Sequence, residues 1–497
     1  MTPISDPTLL QHIVSLTLSG KFAEAASAAA TIADKDIAIE AWLVFARTNA
    51  NMQRFGAARE ALEIALQHAP GSRQIRLERA QIMEREGLTR DALAELEALE
   101  RDAQDSPQLL VQLGRALQFA GRTSDAETKV EAALALWPTD AALHVLLAEL
   151  RWQRGAGAAA TSVVENAIEK FPAELKLRLI AADLLRNSGR SGEALRIVEQ
   201  GLARAPDSPA FLTSIGVLLD DLDRSQEALP YLRAAVVGAR DRSQPMRNLI
   251  PALLRIGAAA EALASCDELG AHSPDDQQLI AYRATALRLL GDARYSRLYD
   301  YARLVRTYPL RPPAGFADIG AFNEAFAREL TSLHHAAQRP LAQSLRGGTQ
   351  TQRNLPAGNA IVDAFFSMVD APIRDYIDRL HGADGHPVDR RKATSYRIAG
   401  SWSVQLQPGG FHMDHVHPQG WLSSAYYVEL PDTAGESRAG WLKFGEPGVR
   451  IRECPAEHFI HPQCGLLVLF PSYFWHGTVP FSEGGRRLTA AFDVIPA

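Results

Sequence analysis

Cysteine is nearly missing from this chain, with three residues in 497: Cys266, Cys454 and Cys464. Three cannot all pair with one another, and their spacing matches no zinc pattern. A disulfide framework and a zinc cluster are therefore both excluded as the basis of the fold, and a reducing, cytoplasmic setting is expected. Positive charge is not in excess either. Lysine and arginine total 52 against 58 acidic residues, a net charge of −6, which argues against a nucleic-acid partner. No apolar run approaches the ~20 residues of a membrane span, so no membrane partner is expected. The short apolar stretch at residues 9–18 is broken by Gln11 and His12 and follows no basic leader, so it does not read as a signal peptide. Charged residues at 22% and hydrophobic residues at 46% exclude a disordered chain. The length exceeds one ordinary core, so at least two domains are expected.

What is present is a repeat. Gly87, Gly121, Gly155 and Gly189 recur every 34 residues, and the register continues to Gly257 and Gly291 with Asp223 in the intervening place. Five residues after each position up to Gly257, and once before the series, stands an alanine: Ala58, Ala92, Ala126, Ala160, Ala194, Ala228 and Ala262. Proline shares the period at Pro70, Pro138, Pro172, Pro206 and Pro274, while Gln104 and Arg240 replace it elsewhere. A glycine that enters the left-handed region ends one helix, alanine lets the next pack closely on it, and proline stops the second. Leu109, Leu110, Leu113 and Leu117 carry the helical apolar spacing between markers. A helix-turn-helix unit of this period resembles the tetratricopeptide family over about residues 7–291, some eight units. The resemblance implies a right-handed superhelix of antiparallel helix pairs. Its groove is expected to take a protein or peptide; a scaffold or dimerisation arm is the alternative.

Beyond Gly291 the register fades. Tyr295, Leu298, Tyr299, Ala302 and Val305 continue a helical pattern until Pro309, Pro312 and Pro313. Helices are expected over about 319–336 and 359–380, the second interrupted at Pro372, with a polar turn-rich segment at Arg346-Gly-Gly-Thr-Gln-Thr351 between them. From Ser395 short apolar or alternating runs appear at 398–406, 422–430, 440–444, 465–470 and 487–494. Pro408-Gly-Gly410, Pro431-Asp432, Pro447-Gly448 and Gly484-Gly485 punctuate them as turns. Short strands at this spacing predict a β-sandwich or jelly roll. The expected division is 1–303 helical repeats, 304–394 linker and supporting helices, and 395–497 a β-domain.

Three histidines crowd into Phe411-His-Met-Asp-His-Val-His417, and a fourth, His476, follows an apolar strand. Non-haem iron(II) oxygenases hold their metal by two histidines and a carboxylate and leave the other positions open. On a regular strand His412 and Asp414 would face one side, His415 and His417 the other, so either pair could join His476. Arg487 and Thr489 alternate on one face of the final strand and can clamp a carboxylate between them. Lys443 and Arg397 read as surface charges, Trp402, Trp421 and Trp475 as core, and His458 and His461 as residues of a polar loop rather than ligands.

The run over 401–494 resembles the 2-oxoglutarate/iron(II) oxygenases. It is most similar to a bacterial and phage branch with His415-Val-His417-Pro418, then Leu422-Ser423-Ser-Ala-Tyr426-Tyr427, Phe470-Pro471, His476 and Arg487. The upstream Ser344-Leu-Arg-Gly-Gly-Thr-Gln-Thr351 is also similar to what precedes this domain in repeat-bearing members. The resemblance implies a double-stranded β-helix, that is a jelly roll, behind a tetratricopeptide-like solenoid. It implies iron(II) on His415, His417 and His476, with His412 and Asp414 as the alternative first pair. It further implies 2-oxoglutarate as cosubstrate, held by Arg487 and Thr489 with Tyr427 as a further contact, and a hydroxylation as the reaction. Three histidines depart from the two-histidine, one-carboxylate set. A metal-binding domain without catalysis, or an oxygenase of a small metabolite, are the alternatives. The ligands all lie beyond Gly400, so a fragment from about Arg294 onward is expected to hold the metal.

Overall fold

The period-34 markers stand where the backbone turns. In the computed structural model, which describes residues 7–102, 106–351, 354–356, 358–382, 385–431 and 438–497, Gly87 ends helix Arg73–Glu86 in the left-handed conformation at φ 93°. Asp223, in the missing glycine's place, adopts φ 60°, and so does Gln53, one period before Gly87, at φ 59°. The turn geometry is thus kept where the side chain changes. The register alanines are buried, six of them fully and Ala160 to 2% exposure. Ser72, Ser106 and Asp276 start helices Arg73–Glu86, Pro107–Phe119 and Gln277–Leu289 by accepting a backbone N–H with their side chains. The places of Gln104 and Asp432 lie outside the described residues.

Two compact units result, Met1–Leu150 and Arg151–Ala497. The first is helical throughout its described part, with consecutive helices from Pro7–Leu18 to Thr123–Leu136 packing on one another. The second begins with repeat helices and continues without a break in its apolar core into the β-domain. No described helix is long and apolar enough to cross a membrane.

Within this second unit the strands are β1 (Arg306–Pro309), β2 (Leu345–Gln350), β3 (Tyr396–His412), β4 (Leu422–Glu429), β5 (Leu442–Phe444), β6 (His458–Ile460), β7 (Leu466–Pro471), β8 (His476–Thr478) and β9 (Arg487–Pro496). They form two antiparallel sheets, one ordered β1-β7-β4-β9-β3-β2 and one ordered β6-β5-β8. Helices Ile319–Ser332 and Ala360–Asp378 cover the larger sheet: Phe365 packs on Tyr426 and Phe492, and the Tyr426 hydroxyl donates to Asn323 Oδ1 at 2.6 Å.

Several local expectations give way to tertiary pairing. The segment read as a turn at 346–351 is strand β2, because β3 offers it a partner edge. Its two glycines are what that edge demands: a Cβ on Gly348 would stand 2.2 Å from the Gln405 carbonyl oxygen, and one on Gly347 2.8 Å from Gly410 Cα. Pro408-Gly-Gly410 is a bulge inside β3 rather than a strand end, since pairing jumps from Gly348↔Leu406 to Arg346↔Phe411. The helix expected through Val305 splits into Arg294–Leu298 and Tyr301–Leu304, and the chain then extends as β1 because β7 has a free edge for it. Pro372 does not interrupt Ala360–Asp378. The buried face of Val362, Phe365, Val369, Ile373 and Tyr376 outweighs the ~3 kcal/mol of a mid-helix proline. His458 belongs to β6, not to a loop.

The cut expected at Arg294 passes through this unit. Trp475 Nε1 donates to Thr285 Oγ1 at 3.0 Å, Arg255 Nε to the Val449 carbonyl at 2.7 Å, and Arg288 to the carbonyls of Gly445 and Pro455, each at 2.8 Å. Repeat helices Ser243–Arg255 and Gln277–Leu289 are thereby engaged by the chain's own 445–457 segment, and a fragment lacking them loses buried partners of the β-domain.

Candidate metal centre

Regular strand geometry ends at His412. Beyond it only the single bridge His415↔His476 ties the chain to β8, so the alternation expected to send His412 and His415 to opposite sides does not apply. His412, His415, His417 and His476 all line one cavity of about 50 Å³, together with Trp402, Phe470, Arg487 and Thr489. Among the described residues, the group whose ligand atoms gather within 4.8 Å of one another is His415, His417 and His476. Asp414 stands apart: its Oδ2 accepts from Lys443 Nζ at 2.8 Å, and Lys443 also bonds Glu446, so this lysine is a partly buried ion-pair partner and not a surface charge.

The three rings each turn Nδ1 toward an oxygen acceptor. His415 Nδ1 lies 2.8 Å from the Met413 carbonyl, His476 Nδ1 2.9 Å from the Phe474 carbonyl, and His417 Nδ1 2.6 Å from Asp493 Oδ1. Each Nδ1 therefore carries a proton and donates, which leaves Nε2 as the nitrogen that can offer a lone pair. The Nε2 atoms of His415 and His417 stand 3.2 Å apart. At that distance the two nitrogens can share a proton or a metal cation. Burial pushes His415 down to about 3 and His476 well below the usual imidazole range, with neighbouring histidines adding to the effect, so both rings are neutral and free to coordinate. The donor set fits a divalent cation, and Asp493 behind His417 is the carboxylate–histidine arrangement that orients a metal ligand. Asp493 is itself fixed by the Ser423 hydroxyl at 2.7 Å. It was legible in principle: residues 487, 489, 491 and 493 alternate onto one face of β9.

Arg487, 3% exposed, and Thr489, 5% exposed, line the same cavity. Burial lowers the guanidinium pKa, its Nε has no hydrogen-bond partner, and no carboxylate pairs with it among the described residues. A buried cation left so calls for an anionic ligand. Tyr427 does not line the cavity; its ring lies against the guanidinium, 5.1 Å from centroid to Cζ, and the two groups interact electrostatically. Trp402, expected as core, lines the cavity and packs on His417 at 5.3 Å, while Trp421 and Trp475 are core. His458 stacks on Tyr301 and His461 packs on Trp441, both away from the triad.

Sequence reasoning missed the clamp on the His476 loop. The Tyr299 hydroxyl donates to the Tyr473 carbonyl at 2.9 Å and accepts from the Trp475 N–H at 3.1 Å. Its ring stacks on Phe474 at 4.5 Å. No local pattern announces a contact across 174 residues.

The family model described as "Putative 2OG-Fe(II) oxygenase" matches residues 400–493, and the tetratricopeptide repeat model matches 43–107, 111–174 and 181–245. The chain carries tetratricopeptide repeats and a 2OG-Fe(II) oxygenase domain. All three gathered histidines and Arg487 fall inside the oxygenase match. No curated protein matches the chain. Among solved structures, a tetratricopeptide repeat protein from Parabacteroides merdae is similar at 13% identity and TM-score 0.35, over 50% of this chain and 98% of that one. PilW, a type IV pilus biogenesis factor, is similar at 15% identity and TM-score 0.34, over 40% and 93%. Likenesses this weak carry no argument about function.

Proposed function

We propose that this chain is a 2-oxoglutarate- and iron(II)-dependent dioxygenase that hydroxylates a protein or peptide recruited by its helical repeats. The observation that carries it is the gathering of three histidine ligand atoms in one cavity with a buried arginine that no carboxylate pairs among the described residues. Bound iron(II) and 2-oxoglutarate supply the oxygen-activating chemistry of such enzymes. In this reading His415, His417 and His476 hold the metal, and the Asp493 carboxylate keeps His417 in its donating tautomer. Arg487 and Thr489 bind the far carboxylate of the cosubstrate, with the Tyr427 ring supporting the guanidinium from behind. Trp402, Leu442 and Phe470 keep water from the cavity. The two antiparallel sheets are read as an open form of the double-stranded β-helix, and the functional division as 1–303, 304–394 and 395–497, with the last repeats of the second unit, Ser243–Arg255 and Gln277–Leu289, docked on the third segment. A reducing, cytoplasmic setting suits the free thiols of Cys266, Cys454 and Cys464.

The test is succinate release by the full-length protein with iron(II), 2-oxoglutarate and cell extract, beside metal content. The expected result is succinate that depends on extract protein, and loss of stoichiometric iron in His476→Ala. Iron content unchanged in that variant defeats the ligand assignment. Succinate from neither enzyme nor enzyme plus extract supports a metal-binding domain without catalysis. Release that survives removal of protein from the extract supports a small-metabolite substrate.

A further inference from the structure

His412 takes no part in the histidine cluster, yet it lines the same cavity as Arg487 and Thr489. It is the last residue of β3, paired with Leu345 of β2. Its ring is stacked with that of His415, centroids 5.4 Å apart, and keeps part of its surface accessible. Its Nδ1 lies 3.2 Å from the Ser344 hydroxyl, and Ser344 is pinned in turn by the Met413 N–H, which donates to its carbonyl at 3.0 Å. Among the described residues the ring's Nε2 has no hydrogen-bond partner. The buried Arg487 Nε, in the lining of the same cavity, is also unpartnered. An unsatisfied guanidinium N–H and an imidazole nitrogen that can donate when Nδ1 accepts, both lining one cavity, suit a shared acceptor.

We propose that His412 is a cosubstrate-binding residue: with Ser344 donating to Nδ1, its Nε2–H donates to the same carboxylate that Arg487 binds, and so selects a dicarboxylate over a monocarboxylate 2-oxo acid. This rests on the proposed 2-oxoglutarate dependence. It also gives the 344–351 segment a purpose, since β2 carries Ser344 to the mouth of β3. The order of recognition is physical. Arg487 supplies charge, and the imidazole supplies a second direction, which a carboxylate with four lone-pair sites can satisfy at once.

The experiment uses the full-length protein loaded anaerobically with iron(II). Calorimetry gives Kd for 2-oxoglutarate and for 2-oxobutyrate, which lacks the far carboxylate, and metal content is measured on the same samples. His412→Phe is expected to weaken 2-oxoglutarate on the order of ten- to a hundredfold, to leave 2-oxobutyrate within about twofold, and to keep its iron. His412→Gln, which retains an N–H donor, is expected to recover part of the loss, and Ser344→Ala to show a smaller one. Loss of iron in both His412 variants overturns the proposal and makes His412 a ligand. Equal weakening of the two acids, or no weakening, overturns it as well. Failure of the parent protein to bind 2-oxoglutarate at all sinks the cosubstrate reading itself, a different and separately visible result.

Discussion

Replacing Tyr299 by phenylalanine removes one oxygen atom from a residue 177 positions before His476 and outside the triad, yet the change is expected to weaken metal binding. The hydroxyl satisfies two buried backbone groups of the 473–475 turn, the Tyr473 carbonyl and the Trp475 N–H. Left unpaired in the interior, each costs about 1–3 kcal/mol, so the variant loses roughly 2 kcal/mol or more. The strain falls on the residues that aim His476: Phe474 supplies the carbonyl that holds its Nδ1, and Trp475 precedes it in the chain and is anchored on Thr285. Groups that orient a metal ligand are worth about 10–100-fold in affinity, and a loss in that range is expected here. The assay is competition with a chromogenic chelator for Kd, beside the thermal unfolding midpoint with and without metal. Tyr295→Phe is the control. Tyr295 stacks on Tyr299 at 5.3 Å but spends its hydroxyl on Glu457, so its removal should leave Kd unchanged. A Tyr299→Phe protein with a lowered midpoint but the parent's Kd would refute the claim that this clamp positions the ligand.

Three further outcomes are expected. Asp493→Ala should weaken the metal by about 10–100-fold while His417 remains, because the imidazole loses the acceptor that fixes its tautomer; an unchanged Kd would deny Asp493 that part. Adding the metal at a hundred times its Kd should stabilise the protein by about 2.7 kcal/mol, read as a rise in the unfolding midpoint that a chelator reverses and that His476→Ala lacks. His334, held by Thr349 and Ser403 at 2.8 and 3.0 Å, is pushed down to about 4 by burial. A histidine kept neutral in the fold contributes its full stability above about pH 6.5 and loses it as pH falls toward 4, at most about 3 kcal/mol. His334→Gln should therefore flatten the decline of stability between pH 6.5 and 4, and an equally steep decline would remove this cause.

The sequence alone determined what depends on neighbours along the chain. A 34-residue period of glycine, alanine and proline is written into each helix pair, because the end of a helix and its close contact with the next are decided within a few residues. It survives even where Asp223 or Gln53 replaces the glycine. The β-run after Ser395 and the crowd of histidines before Pro418 were legible for the same reason. Strand alternation also placed Arg487 and Thr489 on one face, and it would have placed Asp493 there.

What only the tertiary structure decided are the contacts between distant segments. The residues at 306–309 and 345–350 are strands because β7 and β3 present edges to them, not because their own composition demands it. His412 and His415 reach one cavity because β3 stops between them, an ending set by the bridge to His476. Trp475 meets Thr285 across 190 residues, and that packing joins the last repeats to the histidine site in one core. A pattern with a period of two or three and a half residues carries no information about such meetings; they follow from which apolar faces and unpaired backbone groups remain once the local elements have formed.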